Sequence, residues 1–417
     1  MRKSQCLIPV SILIICCVSG ISCTKPNEPE PDIVKNIDLP QNGIAVAGAG
    51  NQFAFDFFHQ ALQDDPSESN KLISPLSIYL ALSMAYNGAN NATRDSMKHA
   101  LRLDNINIED LNKTCKALIE QLPAADNKIN FSIANSIWYN QSKQPLQTFL
   151  TTTHDYFHAT VSPLNFASTD AVNTINKWVA DNTRQKITSI IDKIDANALM
   201  FLINAIYFKG DWQYHFDKNA TNPSPFYLAG NTSVSTPFMR LSAKGLNYYQ
   251  DNTMQMVQLP YGGGNFSMYI LLPVNRASLI GFASQIDATS FQTLKSKLHE
   301  SDVNLFLPKF KYSYSIRNMK PPLAKLGMGI AFLDYADFSK MYNVSGQITD
   351  AIHKTFIEID EEGTEAAAVT AIGIGVTSVT PGAPVTMMAD HPFMYIIAEK
   401  SSNTVLFTGI VKNPAEH

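Results

Sequence analysis

The chain has 417 residues and a formal net charge of −4 at pH 7. It carries no basic block and no stripe of interleaved aromatic and basic residues that could neutralise phosphates, so the composition argues against a nucleic-acid-binding protein. At about 150 residues per domain, the length alone allows two or three domains.

The N-terminus is predicted to be a cleaved signal peptide, residues 1–22. Two basic residues precede an apolar run from Leu7 to Val18, which is shorter than the roughly 20 helical residues that span a bilayer. The following "GISC", which ends at Cys23, resembles a bacterial lipoprotein processing box, in which the Cys becomes lipidated. Gly20 lies where such boxes usually carry Leu, so an ordinary signal peptide with Cys23 as a bystander is the alternative.

Residues 23–46 are predicted to be a tether. The stretch "TKPNEPEPDIVKN" is polar and rich in Pro, so it cannot bury enough surface to fold and is expected to be stiff. A tether directly after Cys23 favours lipidation. We therefore expect a bacterial protein that is secreted across the inner membrane and lipid-anchored to the outer membrane or cell surface, or is otherwise periplasmic or extracellular.

Cysteine use limits how the mature chain can be stabilised. Three of the five Cys residues lie in the signal peptide, and the mature chain keeps Cys23 and Cys115. No disulfide framework is available, so stability must come from a large core. Cys115 lies in the helical pattern "EDLNKTCKALIEQL", where we expect a buried and inert thiol.

Helical periodicity dominates the early part of the mature chain. "NQFAFDFFHQAL" places Phe53, Phe57 and Phe58 on one stripe. "SPLSIYLALSMAYNGA" begins with Ser74 as a predicted N-cap and Pro75 in the first helical turn. "AVNTINKWVADNTRQ" predicts an amphipathic helix, with an apolar face made of Ile175, Trp178 and Val179.

The pattern then changes to β-structure. "ALMFLINAIYFKGDW" is a strand-like apolar run with Asn204 at its centre, and a buried amide needs hydrogen-bond partners. Beyond residue 230, "MVQLPYGGGNFSMYILLP" predicts a hairpin around Gly262–Gly264, "VNLFLPKFKYSYSI" one alternating strand, and "FMYIIAEKSSNTVLFTGIVKNP" a second hairpin. Helices first and sheets late predict an α+β protein.

An uncharged stretch from Ala366 to Ala389 stands out near the C-terminus. Side chains of a strand point alternately to opposite sides. One face would be small at first and apolar later, and it consists of Thr364, Ala366, Ala368, Thr370, Ile372, Ile374 and Val376. The pattern predicts a strand that is built to be buried, followed by an exposed connector, "TSVTPGAPVT".

Enzyme motifs are missing from the sequence. No Gly-x-Ser-x-Gly occurs, and the one Ser-x-x-Lys lies at the processing site. His299 and Glu300 begin like a zinc motif, but Val303 occupies the position of the second ligand. The pair Glu361 and Glu362 is better interpreted as a solvated strand end than as catalytic carboxylates. We therefore expect no enzyme activity, no metal and no cofactor.

The segment "EEGTEAAA" resembles the hinge of the serpin family. The resemblance runs from about Asn51 to Pro414, with the following segments in family order: "SPLSI", "NAIYFKGDW", "LPKFK", "LGM", "ADFS", "HKTFIEIDEEGTEAAA" and "DHPFMYII". On these residues the chain is identified as a member of the serpin family, similar to a bacterial lipoprotein. This implies one α+β domain over residues 47–417, with a helix-rich N-terminal part, a large five-stranded sheet, further sheets and an exposed reactive-centre loop.

The resemblance also implies a function. A serpin inhibits serine proteases irreversibly: the target cuts the loop, and the freed half inserts as a new central strand before the acyl-enzyme is hydrolysed. The face that becomes buried must be small and uncharged, because an unpaired buried charge is costly. The implied partner is a serine protease in a covalent complex with a monomeric inhibitor. The alternative is a non-inhibitory serpin-fold binding or scaffold protein, which the small hinge residues disfavour.

The resemblance assigns site residues one by one. The hinge is Glu361, Glu362, Gly363, Thr364, Glu365, Ala366, Ala367 and Ala368. The shutter, where the sheet parts, is Ser74, Ser77, Asn204 and His353. The breach, where insertion begins, contains Trp212 and Lys309, with Glu361 as the expected partner of Lys309. The simpler alternatives are that Ser74 is only a helix cap, that Asn204 and His353 are satisfied core groups, and that Trp212 is packing filler.

The family spacing from Gly363 places the scissile bond between Thr377 and Ser378, with Val376 and Val379 as alternatives. The bait contains no Lys, Arg, Phe, Tyr or Trp. This composition predicts elastase-like or subtilisin-like targets with small apolar primary pockets.

Overall fold

The structure is a computed structural model that describes residues 33–230, 232–276, 279–344, 346–364 and 383–416. The α-helices in these ranges are α1 (Gly43–Asp64), α2 (Pro75–Gly88), α3 (Asn91–Ala100), α4 (Ile108–Gln121), α5 (Gln147–Phe157), α6 (Thr169–Asn182), α7 (Leu279–Ala283), α8 (Ala288–Lys297) and α9 (Lys320–Leu323). Short 3-10 or π turns lie at Leu122–Ala124, Lys218–Ala220, Ala324–Met328 and Gly329–Phe332. None of the helices in these ranges has the length and hydropathy that crossing a membrane requires.

The β-strands follow the same chain order. They are β1 (Lys71–Ile73), β2 (Ile129–Asn140), β3 (Thr160–Leu164), β4 (Met200–Asp211), β5 (Asn222–Tyr227), β6 (Ser233–Gln250), β7 (Met254–Tyr261), β8 (Phe266–Pro273), β9 (His299–Pro308), β10 (Phe310–Ile316), β11 (His353–Ile359), β12 (Gly363–Thr364), β13 (Val385–Met388), β14 (Phe393–Glu399) and β15 (Val405–Val411).

These strands form two sheets. The six-stranded sheet has the order β10-β11-β12-β4-β2-β3. The nine-stranded sheet has the order β1-β15-β14-β8-β7-β6-β9-β13, with β5 added through β6. Helices and strands are therefore combined as the α+β prediction requires.

Helix α2 lies in the core, in contact with β4 of one sheet and β15 of the other. It begins as predicted: Ser74 is the N-cap and Pro75 the first helical residue, and the Ser74 hydroxyl accepts a hydrogen bond from the backbone N–H of Ser77. Almost every α2 side chain is buried, because neighbouring elements surround the helix. Because the N-cap residue Ser74 is buried there, its polar atoms can also form hydrogen bonds with the neighbouring strands.

The predicted strand "VNLFLPKFKYSYSI" is wrong as a single element. Strand β9 ends at Pro308 and pairs with β6, whereas β10 begins at Phe310 and pairs with β11 in the other sheet. Pro308 lacks the N–H that a continuing ladder needs, and Lys309 instead donates its backbone N–H to the carbonyl of Pro237. The chain changes sheets at Lys309.

Part of the predicted tether packs on the folded body. Ile37 is buried, and its N–H donates to the Ser401 hydroxyl at 2.8 Å. The Lys35 N–H donates to the carbonyl of Ala125, and the Asn265 side chain donates to the Lys35 carbonyl. Helix α1 then begins at residue 43. The folded part therefore starts before residue 47, because this segment finds backbone partners on the body that its composition does not reveal.

Strand β3 forms one edge of the six-stranded sheet and pairs in parallel with β2. Its fourth residue is Pro163. Proline is tolerated there because an edge strand has one side on which no ladder hydrogen bond is required.

The side chain of Cys115 is fully buried in α4. Burial raises the pKa of its thiol to about 12. A thiol with this pKa remains protonated and is a poor nucleophile at neutral pH.

Candidate functional site

The hinge has already begun to enter the six-stranded sheet. Strand β12 lies between β11 and β4, where Thr364 pairs with Ile359 on one side and Gly210 on the other. Thr364 is only 4% exposed, and its hydroxyl lies 2.6 Å from that of Tyr261. The sheet therefore consists of five other strands and a two-residue start of a sixth. Thr364 faces inward before any cleavage, whereas the sequence placed that inward turn at insertion.

Gly363 is required by close backbone approach. A Cβ at this position would lie 2.0 Å from the carbonyl oxygen of Gly210 and 2.7 Å from the Cα of Asp211. Both contacts are with the backbone of β4, which cannot move aside cheaply. The sequence interpretation assigned Gly363 to the hinge; in the structure its missing side chain is what admits β12 to the sheet.

Trp212 holds the hinge backbone in place. Its indole N–H donates to the carbonyl of Asp360 at 2.9 Å, and its backbone N–H donates to the carbonyl of Glu362 at 2.6 Å. The ring stacks on Tyr261, with centroids 4.4 Å apart. Trp212 therefore does more than fill space.

Two ion pairs flank the hinge. Lys309 Nζ lies 2.7 Å from Glu361 Oε2, and the Thr221 hydroxyl donates to the other oxygen of Glu361 at 2.8 Å. Lys218 pairs with Glu362. Burial alone would raise the pKa of Glu361, but the hydrogen bonds from Lys309 and Thr221 outweigh it, so this pKa is lowered.

Two carboxyl groups beside the hinge behave in the opposite way. Burial raises the pKa of Asp360, although the backbone N–H groups of Glu362 and Gly363 donate to its carboxylate. Burial also raises the pKa of Asp211 on β4, and Lys209 only partly offsets it. Among Glu361, Asp360 and Asp211, the lowered pKa belongs to Glu361, the carboxyl that Lys309 contacts.

The four predicted shutter residues come together where α2 passes beneath β4 and β11. The Ser74 N–H donates to Nε2 of His353 at 3.0 Å, and the Ser74 hydroxyl donates to the Leu406 carbonyl at 2.8 Å. The Ser77 hydroxyl lies 3.4 Å from the carbonyl oxygen of Asn204. Ser74 is therefore both a helix cap and a link between α2 and two β-strands.

His353 is neutral in this site. It accepts a hydrogen bond at Nε2 from a backbone N–H, so the ring proton must be on Nδ1. Full burial lowers the pKa of the ring to about 3. His353 is thus a buried donor rather than a cation.

Asn204 is only partly satisfied. Its side-chain N–H donates to Oδ1 of Asn135 at 2.8 Å, and Asn135 in turn donates to the carbonyl of Phe157 at 2.7 Å. Among the residues that the structure describes, Asn204 Oδ1 has no hydrogen-bond partner. The interpretation of Asn204 as a fully satisfied core group is therefore wrong.

Sequence reasoning missed Asn135 and Tyr261. Asn135 pairs directly with Asn204 across β2 and β4, and a polar residue inside the apolar run "INFSIANSIWYN" is the signal that could have identified it. Tyr261 precedes the glycine turn of the β7–β8 hairpin, and nothing local to that hairpin indicates that it reaches Thr364.

The remaining predicted site residues lie outside the described ranges. They are Cys23, Glu365, Ala366, Ala367, Ala368, Val376, Thr377, Ser378 and Val379. After this gap, β13 pairs in parallel with β9. No group of three or more His, Cys, Asp or Glu within the described part of the chain is arranged to hold a metal ion.

Comparison with known proteins identifies the family. The family model "Serpin (serine protease inhibitor)" matches residues 48–414. The chain belongs to the serpin family, as the sequence motifs predicted, and the family's described activity is protease inhibition.

Several relatives are similar over most of their length. Intracellular coagulation inhibitor 2 of Tachypleus tridentatus is 32% identical over 371 residues, which cover 87% of this chain and 90% of that protein. Iripin-8 of Ixodes ricinus is 31% identical, with 89% and 94% covered. An uncharacterized serpin-like protein of Methanosarcina mazei is 31% identical, with 89% and 88% covered.

Solved structures confirm the fold. Tengpin, a thermophilic serpin in its native state, is similar with a TM-score of 0.80 and 32% identity, covering 91% of this chain and 96% of tengpin. A complex of thyroxine-binding globulin with thyroxine is similar with a TM-score of 0.79 and 26% identity, covering 89% and 99%. The α+β serpin fold predicted from the sequence is therefore correct.

Proposed function

We propose that this protein is an irreversible suicide-substrate inhibitor of serine proteases. The target would cleave the Thr377–Ser378 bond and form an acyl-enzyme, and the segment on the hinge side would insert between β4 and β11 before that acyl-enzyme is hydrolysed. The observation that carries the proposal is β12, because Gly363 and Thr364 already pair in the gap that the rest of the strand would fill.

The register of β12 favours productive insertion. Thr364 pairs with Gly210 and Ile359, and six residues further along an antiparallel strand would pair with positions six lower on each neighbour. Thr370 would then lie between Asn204 and His353, with its side chain on the same face as Thr364. A hydroxyl can both donate to Asn204 Oδ1 and accept from the His353 ring, so insertion would satisfy the unpaired shutter oxygen.

The gap itself is the source of free energy for insertion. Among the described residues, β4 and β11 share no pairing with each other and are joined only by β12. A strand that continues β12 would gain backbone hydrogen bonds on both sides, each contributing about 0.5–1.5 kcal/mol net. It would also bury the apolar face that ends at Ile372, Ile374 and Val376.

The composition of the bait favours particular targets. The chain has no charged residue from Ala366 to Ala389 and no aromatic residue in that range. We propose that proteases with small apolar primary pockets, such as elastase-like or subtilisin-like enzymes, form the covalent complex.

The signal peptide, the Cys23 motif and the Pro-rich segment support a proposal about location. The protein would act outside the inner membrane of a bacterium as a monomer, anchored by a lipid at Cys23 or free in the periplasm or medium. Mass spectrometry of the mature N-terminus would detect a lipid on Cys23, and an unmodified chain starting elsewhere would contradict the anchor.

The alternative function is a non-inhibitory binding or scaffold protein. The observation that supports this alternative is the similarity to thyroxine-binding globulin, which is described in complex with thyroxine. The small residues at Ala366–Ala368 are unlike a hinge that has lost the ability to insert.

Incubation of the mature chain with pancreatic elastase, subtilisin and trypsin separates these functions. We expect elastase or subtilisin to give a complex that survives boiling in detergent, and trypsin to give none within the bait. Cleavage of the bait by every enzyme without any stable complex would contradict inhibition. A trypsin adduct mapped to the bait by mass spectrometry would contradict the proposed specificity.

A further inference from the structure

An apolar cavity of about 140 Å³ lies beside the shutter. It is enclosed by α2, by the first residues of β4 and by the segment that leads into β11, and its lining includes Ala81, Ala85, Leu202, Phe338, Met341 and Ile348. An engineered apolar cavity of about 150 Å³ binds benzene. This cavity therefore has room for an apolar group of about six carbon atoms.

One end of the cavity is polar. Asn204 and His353 both line it, and both are at least nine-tenths buried. Asn204 Oδ1 is a hydrogen-bond acceptor that has no partner in the described part of the chain. His353 is a donor through Nδ1, because its Nε2 accepts from the Ser74 N–H. The cavity is thus mainly apolar. At one end it has an acceptor without a described partner, Asn204 Oδ1, and a donor, His353 Nδ1.

We propose that this cavity is a binding site for a small neutral amphiphile with a short aliphatic chain and a head group that both donates and accepts hydrogen bonds. A primary alcohol or a primary amide meets this description. Its donor would bind Asn204 Oδ1 and its acceptor would bind the His353 ring. The aliphatic chain would lie against Ala85 and Leu202.

The lining disfavours charged ligands of the same length. No Lys or Arg contributes to it, so a carboxylate would be buried without a cation and would present only acceptors to Asn204 Oδ1. An ammonium group would meet the ring donor of His353 and could not accept from it. Asp350, the one acidic residue in the lining, is solvent-exposed.

Binding here would oppose strand insertion, and this part of the inference rests on the proposed function. By the β12 register, Ile372 would pair with Leu202 and Ala351, and both of these residues line the cavity. The ligand and Ile372 would therefore compete for the same space. The ligand would act as a regulator that delays insertion and diverts the inhibitor towards the cleaved, unproductive outcome.

Thermal melting of the intact mature chain with hexan-1-ol, hexanoate or hexylamine tests the site. We expect a rise in Tm that saturates with hexan-1-ol, and an apparent affinity at least tenfold weaker for either charged ligand. Saturation-transfer NMR of the alcohol would show direct contact of its chain with the protein. Equal effects of the three ligands, or a tighter hexylamine complex, would overturn the proposal.

Two variants locate the effect. Ala85→Leu fills the cavity and should abolish the hexan-1-ol response, whereas Ala283→Leu, a buried alanine outside the cavity lining, should keep it. Asn204→Leu should reduce the affinity for the alcohol while leaving a weaker apolar interaction. An undiminished response in both Ala85→Leu and Asn204→Leu would exclude this cavity as the site.

The bait-cleaved protein separates this inference from the proposed function. If insertion occurs, the cleaved form should lose the hexan-1-ol response, and the alcohol should raise the amount of inhibitor consumed per protease at least twofold. If the cleaved form keeps a response that Ala85→Leu abolishes, the ligand site is supported and strand insertion is contradicted.

Discussion

The two ends of the gap between β4 and β11 are stabilised differently. At the hinge end, Thr364 bonds to Tyr261, Trp212 holds the carbonyls of the hinge, and Lys309 neutralises Glu361. At the shutter, His353 accepts a hydrogen bond from the backbone N–H of Ser74, and Asn204 Oδ1 has no partner among the residues that the structure describes. The comparison indicates that β12 fills the gap and is held firmly where insertion begins, whereas polar groups line the path that insertion would follow.

The largest expected effect is a rise in thermal stability, because complete insertion would fill the sheet from the hinge end through the shutter. If the bait is nicked by a protease that escapes capture, insertion should add about ten backbone hydrogen bonds at about 1 kcal/mol each. We expect Tm to rise by more than about 10 °C, given that 1 kcal/mol shifts Tm by roughly 1–3 °C in a chain of this size. Scanning calorimetry of intact and nicked protein measures this rise.

A variant serves as the control for that experiment. Ala368→Glu places a carboxylate in the row that becomes buried, so the nicked variant should gain much less stability than the nicked wild type. Equal melting temperatures of the intact and nicked wild type would favour the non-inhibitory alternative.

The second prediction concerns a substitution that disrupts the contacts of the hinge end and leaves the shutter residues unchanged. In Thr364→Arg, a guanidinium replaces a side chain that is 4% exposed and bonded to Tyr261, so β12 must leave the sheet or bury a charge at a cost of several kcal/mol. Delayed insertion should convert the inhibitor to a substrate and raise the stoichiometry of inhibition at least tenfold. Titration of a fixed amount of elastase measures it.

Thr364→Ser is the matched control, because it keeps the hydroxyl that Tyr261 contacts. Its stoichiometry of inhibition should stay close to that of the wild type. An unchanged yield of complex in Thr364→Arg would mean that capture does not depend on insertion at this position.

A smaller effect tests the shutter through pH. Burial lowers the pKa of His353 to about 3, below the value of about 6.5 in an unfolded chain. The unfolded state therefore binds a proton that the folded state does not, and the free energy of unfolding should fall by about 1.4 kcal/mol per pH unit as pH drops from about 6.5 towards 3. This contribution is fully present above pH 6.5.

Urea unfolding at several pH values measures that slope in the wild type and in His353→Gln. The difference between the two profiles isolates this ring from the carboxylates, which titrate in both proteins. The control is His154→Gln, which replaces an exposed His and keeps the buried His353 ring that the prediction concerns. Parallel profiles for His353→Gln and the wild type would show that the ring is not buried in its neutral form.

The smallest expected effect comes from removing the Lys309–Glu361 ion pair while β12 stays in the sheet. Lys309→Met removes the charged partner of the buried Glu361 carboxylate, which keeps the Thr221 hydroxyl and the Glu361 backbone N–H as donors. Because Lys309 is partly exposed, we expect a loss of about 1 kcal/mol in the free energy of unfolding. Lys311→Met is the control. Its partner Glu358 also contacts Lys186, so this variant should lose less free energy of unfolding. Equal losses in the two variants would remove the special role of Lys309.

Much of this architecture could be predicted from the sequence, because family motifs and local periodicity lie within short segments. Most partners of the site residues could not, although the Lys309–Glu361 pair was expected from the sequence. Asn135 and Asn204 are 69 positions apart, and their pairing depends on strand register, which local patterns do not encode. The change of sheet at Lys309 and the packing of Ile37 depend on distant backbone groups in the same way. The close approach of Gly363 to the β4 backbone is likewise not visible in the local sequence.

Pro163 bears on whether copies of this protein associate through the edge of the six-stranded sheet. A sheet that receives a strand at its centre can also receive one from a neighbouring molecule, and an exposed edge offers a second place for such addition. At Pro163 the β3 edge lacks one donor, and the short strand ends one residue later. Strand addition is thereby disfavoured at the β3 edge, whereas at the centre of the sheet the chain's own hinge already occupies the entrance. The edge proline thus disfavours edge-to-edge association through β3.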